Sequence, residues 1–336
     1  MPQFDQKWDV FMEIGIVGLP NVGKSTLFNA LLKKQVAYAA NFPFATIEPN
    51  IGVVPVPDDR LAVLAKIVGT EKIVPATVKF VDIAGLVKGA SAGEGLGNKF
   101  LSHIREVDAI LYLLRDFSDE NVVRAGSENP EADFEVLRTE LILADLQTVE
   151  SYITKNKIKT GEILAVRDSL AKGQVGHCAE LQLLCNKPAI KVFNSDENKL
   201  KDGDGVLRIC AKMEAELAEL SEDEQKAYLA DLGVEKSGLE KVIQEAFRVL
   251  GLSTFLTAGE IEARAWTIKK GSKAPEAAGV IHTDFEKHFI KADCVSFDDF
   301  VACGGWTKAR EAGKVRQEGR EYVMAENDVV EFKVGV

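Results

Sequence analysis

The stretch Gly18-Leu19-Pro20-Asn21-Val22-Gly23-Lys24-Ser25 is a complete GxxxxGKS phosphate-binding loop, and it follows an apolar run, Ile14 to Val17, suited to a buried parallel strand. The glycines let backbone N–H groups wrap around phosphate oxygens, Lys24 reaches the β/γ oxygens, and Ser25 offers a hydroxyl to Mg²⁺. From Lys24 to Lys33 the residues Leu27, Phe28, Leu31 and Leu32 recur at helical spacing. The phosphates then sit at a helix N-terminus, cradled by Asn21, Val22, Gly23, Lys24, Ser25 and Thr26. Strand, loop and helix in this order imply a bound nucleoside triphosphate.

Strand-like runs alternate with helical segments at Ile14 to Val17, Val78 to Ile83, Ala109 to Leu114, Ala189 to Phe193 and Val206 to Ile209. That alternation predicts an α/β fold with a doubly wound, mostly parallel sheet. Between the third and fourth runs, Phe134, Leu137, Leu141, Leu143, Leu146 and Val149 mark a helical insertion over 136–185. The nucleotide domain is expected over 12–135 and 186–251, with capping boxes Ser221/Glu224 and Ser237/Glu240 opening its last helices. From 252 to 336 the pattern becomes short mixed elements broken by glycines, which predicts a separate α+β module. Residues 1–11, with Phe4 and Trp8, form an N-terminal arm.

No apolar run approaches the roughly 20 residues of a membrane span, and residues 1–11 lack the pattern of a signal peptide, so a cytoplasmic protein is expected. The five cysteines are scattered without a CxxC pair, which favours thiols over disulfides or a zinc site. A net charge of −11 disfavours a chain coated for nonspecific nucleic-acid binding. Lys308 to Arg320 and Lys155 to Lys172 are locally basic, and each reads first as a solvated helix face.

A phosphate loop calls for an aspartate closing the next core strand and a glycine free to meet the γ-phosphate; Asp82-Ile83-Ala84-Gly85 supplies both. The glycine-dense stretch Gly89 to Gly97 suits a segment ordered by a γ-phosphate and released on hydrolysis. Thr46 sits where a first switch offers a hydroxyl to Mg²⁺. The expected metal shell is therefore Ser25, Thr46 and Asp82. The base pocket departs from a standard GTPase, whose NKxD aspartate accepts two hydrogen bonds from guanine. Here Asn194-Ser195-Asp196-Glu197 replaces that lysine with Ser195 and lengthens the carboxylate to Glu197, which disfavours guanine over adenine. Cys210-Ala211-Lys212 stands where GTPases carry the turn that touches the base. Leu86 occupies the place of the glutamine that orients attacking water in Ras-like proteins, so hydrolysis is expected to be slow.

Together these residues resemble the YchF/Obg-like ATPase family of P-loop NTPases. The carriers are Gly18 to Thr26, Asn41 to Asn50, Asp82 to Ser91, Asn194 with Glu197, and, near the C-terminus, Arg264 to Thr267 and Ala278 to Glu286. The resemblance implies a G-type domain, a coiled-coil-like helical insertion and a C-terminal TGS domain of β-grasp type. It implies Mg²⁺-dependent ATP hydrolysis with GTP bound more weakly, catalysis involving Lys24, Thr46, Gly85 and the hydrophobic Leu86, and a base framed by Asn194, Glu197, Cys210 and Ala211. It further implies association with ribosomes or a stress response, a monomer with no membrane partner, and Asn21 as a candidate K⁺ ligand. RNA contact is a further candidate.

Two departures stand out. Where bacterial members are expected to place a histidine that helps catalysis, this chain has Arg124, either a γ-phosphate stabiliser or a solvent-facing side chain. The insertion is also shorter than expected. A GTP-dependent switch, and an adaptor that binds ribosome or RNA around a structural nucleotide, remain the alternatives.

Overall fold

The computed structural model describes residues 12–41, 50–83, 96–119, 121–158, 160–178, 180–200 and 205–335. In chain order the strands are β1 (Glu13–Val17), β2 (Ile51–Pro55), β3 (Ile73–Val74), β4 (Thr77–Asp82), β5 (Ala109–Asp116), β6 (Ala189–Ser195), β7 (Arg208–Ile209), β8 (Leu252–Ala258), β9 (Ala263–Lys269), β10 (Phe289–Ser296), β11 (Arg316–Glu318) and β12 (Asp328–Val334). The helices are α1 (Lys24–Asn41), α2 (Arg60–Val68), α3 (Leu96–Glu106), α4 (Pro130–Asn156), α5 (Glu162–Ala171), α6 (Ala211–Leu217), α7 (Glu222–Asp231), α8 (Gly238–Val249), α9 (Ala274–Ile281), α10 (Thr283–Lys287), α11 (Phe297–Cys303) and α12 (Trp306–Glu311). They form two compact units, one of 12–54 with 79–250 and one of 55–78 with 251–335.

The first unit is built on a sheet of order β2-β4-β1-β5-β6-β7, with β1 parallel to β4 and β5, and β6 parallel to β5 and β7. Its central strands β1 and β5 are mostly apolar because both faces are covered: the first seven residues of β5 are buried, as are Ile14, Ile16 and Val17 of β1. Leu27 and Leu31 of α1 are fully buried, and each side chain of that size contributes about 1.5–3 kcal/mol on burial. The mostly parallel architecture follows the sequence pattern, while β5 and β6 run two residues past their apolar runs, to Asp116 and Ser195. Those polar extensions pair in register, Arg115 with Asn194 and Asp116 with Ser195, and place polar side chains at the carboxyl end of the sheet.

Helix α4 begins at Pro130, earlier than the expected insertion, because Asn129 caps it by accepting from Glu131 N and proline is tolerated in the first turn. Its first half packs on β5, with Phe134 edge-on to Tyr112 at 5.1 Å. Its second half forms a separate apolar cluster with α5, centred on Ile142, Val149, Ile163, Val166 and Leu170. Ser221 and Glu224 form the expected reciprocal capping box. At Ser237 only half of the expected box forms: Ser237 Oγ accepts from Glu240 N, while the Glu240 carboxylate turns to Lys34 at 3.3 Å.

The second unit resumes at 251, next to the expected start at 252, and adds a segment expected elsewhere. Residues 55–78, expected in the nucleotide domain, belong here, because β3 pairs in parallel with β9 and α2 packs on β8, β9 and α11. Arg60 fastens α2 in place by donating to Thr254 Oγ1, the Glu326 carbonyl and Asn327 Oδ1. The sheet order is β11-β10-β12-β8-β9-β3, with an antiparallel β8/β9 hairpin and a parallel β8/β12 contact at its centre. Helix α9 covers one face over Phe255, Ile268, Ala292 and Val330. Most of the basic stretch 308–320 is compensated: Arg310 pairs with Glu331, Lys314 with Asp299 at 3.0 Å, and Arg316 with Asp328 at 2.9 Å. No described helix is long and apolar enough to cross a membrane.

Candidate nucleotide site

The loop between β1 and α1 is fixed by its two glycines for different reasons. At Gly18 a Cβ would lie 2.8 Å from the Leu113 carbonyl on β5, so the glycine lets the chain leave the sheet against its neighbour. Gly23 has φ +91°, and a Cβ there would lie 2.3 Å from Asn194 Nδ2. Helix α1 follows at Lys24 with no acidic residue in its first turn. The N–H groups of that turn lack intrahelical partners and carry the positive end of the helix dipole, an arrangement that favours an anion.

Lys24 Nζ donates to Asp82 Oδ1 at 2.5 Å and to the Ile83 carbonyl at 2.6 Å. The P-loop cation and the acid at the end of β4 thus meet directly, so a phosphate bound here would compete with Asp82 for Lys24. Ser25 and Thr26 are exposed on the first turn. Among the described residues no group of three or more His, Cys, Asp and Glu side chains is placed to hold a metal. The oxygen donors Ser25 and Asp82 fit instead a hard cation that keeps waters and binds through substrate phosphates, as Mg²⁺ does. Thr46, Gly85 and Leu86 lie outside the described residues, as does most of the stretch Gly89 to Gly97.

The four residues from Asn194 to Glu197 have separate jobs. Asn194 is buried; its Nδ2 donates to the Val22 carbonyl and its Oδ1 accepts from Ala211 N, both at 2.9 Å. One amide side chain therefore ties the phosphate loop to the turn at Cys210-Ala211. Ser195, 1 % exposed, donates to Asp116 Oδ2 at 2.8 Å, and Asp196 accepts from Ser118 N at 3.2 Å. Glu197 begins a short 3-10 turn. Its charge faces Cys210, whose thiol is pushed up mainly by burial, and Tyr228 of α7, whose phenol is raised by burial first and Glu197 second.

Three contributors escape the motif pattern. Lys199 donates to both the carbonyl and Oδ1 of Asp116, at 2.7 and 3.0 Å, and so supplies a cation beside the position where the GTPase motif has lysine and this chain has Ser195. Its only signal in sequence is closeness to Glu197. Tyr228 carries none. Arg115 is signalled by being a charge on an otherwise apolar strand. Asn21, in the left-handed region at φ +62°, donates to the Val123 carbonyl at 3.1 Å. Arg124 donates to the carbonyls of Ser127 at 2.5 Å and Arg115 at 3.2 Å, so its guanidinium is committed to its own loop.

Comparison with known proteins finds relatives over nearly the whole chain. The family model described as 50S ribosome-binding GTPase matches residues 13–165, and the model of the YchF GTPase C-terminal domain matches 252–335. The chain is 46 % identical to a Bacillus subtilis (strain 168) protein named ribosome-binding ATPase YchF, over 96 % of this chain and 99 % of the relative. It is 46 % identical to the Escherichia coli O157:H7 protein of the same name, with the same coverage. The solved structure of the Schizosaccharomyces pombe YchF GTPase superposes with a TM-score of 0.83 at 35 % identity, over 97 % of this chain and all of that one. The chain belongs to the YchF family.

Proposed function

We propose that this protein is a Mg²⁺-dependent ATPase that binds ribosomes and acts as a nucleotide-controlled switch. The observation that carries the reading is the convergence of the phosphate loop, Lys24 with Asp82, and the Asn194 brace to Ala211 on one end of the parallel sheet. Ligands bind at that end of such sheets. Curated relatives at about the same identity over nearly their full length are named ribosome-binding ATPases, which supports both the activity and the partner. Ribosome association places the protein in the cytoplasm.

Within this reading the first-turn N–H groups of α1 and Lys24 bind the phosphates, and Asn21 to Thr26 shape the cradle. Ser25 and Asp82, with Thr46, would hold Mg²⁺, which would supply neutralisation of phosphate charge. Lys24 would hold phosphate oxygens in place of Asp82, and the Asp82 carboxylate would then serve the magnesium shell. Leu86 cannot orient water by hydrogen bonding, and turnover is slow. Asn194 keeps an acceptor lone pair and a second amide proton beyond the two bonds it already makes, and these suit the N6–H and N7 edge of adenine. Glu197 carries the one carboxylate of the motif that faces the Cys210 turn, displaced from the position of the guanine-binding aspartate, so ATP is preferred. The C-terminal unit reads as a TGS-type β-grasp, supported by the order β9-β8-β12-β10 with α9 following the hairpin.

The deciding experiment is equilibrium binding of labelled ATP and GTP with Mg²⁺ to the wild type and to Glu197→Asp. Ser195 is left unchanged because a lysine at that 1 % exposed position would compete with Lys199 for Asp116. Tighter ATP binding, narrowed by Glu197→Asp, supports the reading. Tighter GTP binding by the wild type overturns the base assignment in favour of a GTP-dependent switch.

A further inference from the structure

Arg115 is the next-to-last residue of strand β5, is 4 % exposed, and spends its guanidinium on main-chain carbonyls. It donates to Asp119 O at 3.2 Å, Val122 O at 3.2 Å, and Phe117 O and Val123 O at 3.5 Å, and it lies 4.4 Å over the Phe117 ring. The loop it gathers is secured at two further places. Arg124 folds back onto the Arg115 carbonyl, and Ser127 N donates to the buried Asp133 at 2.6 Å.

The Val123 carbonyl is the joint. It receives Arg115 Nη1 and also Asn21 Nδ2. Asn21 is the one residue of the phosphate loop other than glycine that has a positive φ, at +62°. A left-handed conformation is unfavourable for most residues with a Cβ and is visited chiefly by asparagine and aspartate, and here the Asn21 amide is held by the Val123 carbonyl of a remote loop. The contact series therefore runs from Arg115, through a main-chain oxygen it immobilises, to the backbone angle that shapes the loop.

We propose that Arg115 is a positioning residue for nucleotide binding: by fixing the Val123 carbonyl it holds Asn21 left-handed and keeps the phosphate loop in its binding shape before nucleotide arrives. The inference rests on the nucleotide-binding reading above. Pre-ordering of this kind raises affinity by removing an ordering cost from the binding step.

Glycine adopts positive φ without a side-chain brace, so an Asn21→Gly background removes the need for Arg115. Binding of a labelled ATP analogue with Mg²⁺ is measured for the wild type, Arg115→Met, Asn21→Gly and the double variant, with folding checked by thermal melting. Arg115→Met is expected to weaken binding about tenfold alone and about twofold or less in the Asn21→Gly background. Equal losses in both backgrounds overturn the inference and leave the nucleotide reading intact, while absence of binding by the wild type removes both. Should Arg115→Met fail to fold, Arg115→Lys keeps the cation without the fork. Nucleotide-free hydrogen exchange over residues 18–26 is then expected to be faster than in the wild type, and unchanged exchange overturns the proposal.

Discussion

Asn194 makes two buried bonds of opposite polarity with one side chain, donating to the phosphate loop and accepting from the turn before α6. Asn194→Ala strands the Val22 carbonyl and the Ala211 N–H, at an expected cost of about 2–4 kcal/mol in urea denaturation together with weaker ATP binding. Lys24→Ala is expected to behave differently. The Lys24–Asp82 pair is partly exposed, so stability should fall by about 1 kcal/mol or less, whereas ATP affinity should fall about 100-fold. Titration with labelled ATP checks this, and unchanged affinity rules out a phosphate-binding role for Lys24. These residues were legible to different degrees. Lys24 and Ser25 act within a contiguous loop whose chemistry is written in its spacing. The bracing role of Asn194 was not legible, because Val22 is remote in sequence and meets it only through the strand order β1-β5-β6, while Ala211 is brought beside it by β7 pairing with β6.

At the scale of elements, the helices of the base side are joined by a buried acid. Glu214 of α6 is 2 % exposed and faces the N-terminal backbone of α8 at Gly238, with its Oε1 buried and without a hydrogen-bond partner. Burial, outweighing the pull of the α8 backbone and of the Lys34 charge, raises its carboxyl above the ordinary value. The folded state then holds that proton to higher pH than the unfolded chain, so the stability it contributes is present below the ordinary carboxylate value and lost as pH rises through the raised one. Wild type is accordingly expected to gain stability relative to Glu214→Gln as pH falls from neutral through this window. Paired urea melts at several pH values check it, and a pH-independent difference contradicts it. Capping shows the same division between local and remote. The Ser221 box forms as its spacing predicts, while Glu240 of the second box is drawn away by Lys34, a residue on α1 with no relation to it in local sequence.

For the whole molecule, the unexpected division is that 55–78 folds with 251–335. A fragment of 252–336 alone would lose β3 from the sheet edge and the α2 side chains Leu61, Leu64 and Ala65, all nearly fully buried. That fragment is expected to melt lower, or to aggregate, compared with one in which 55–78 is supplied by a linker; circular dichroism melts of the two decide it. Sequence by itself determined the phosphate loop, the parallel α/β architecture and the family, because each is carried by short-range spacing: glycines at fixed offsets, apolar strands, helical periodicity. Only the tertiary structure decided that Asn194 braces two loops, that Lys199 stands beside Ser195, that Arg115 gathers the loop over Asn21, and that a segment between β2 and β4 completes the second sheet. Each of those depends on at least one partner separated by many residues, and their meeting is set by strand order and packing, which no local pattern encodes.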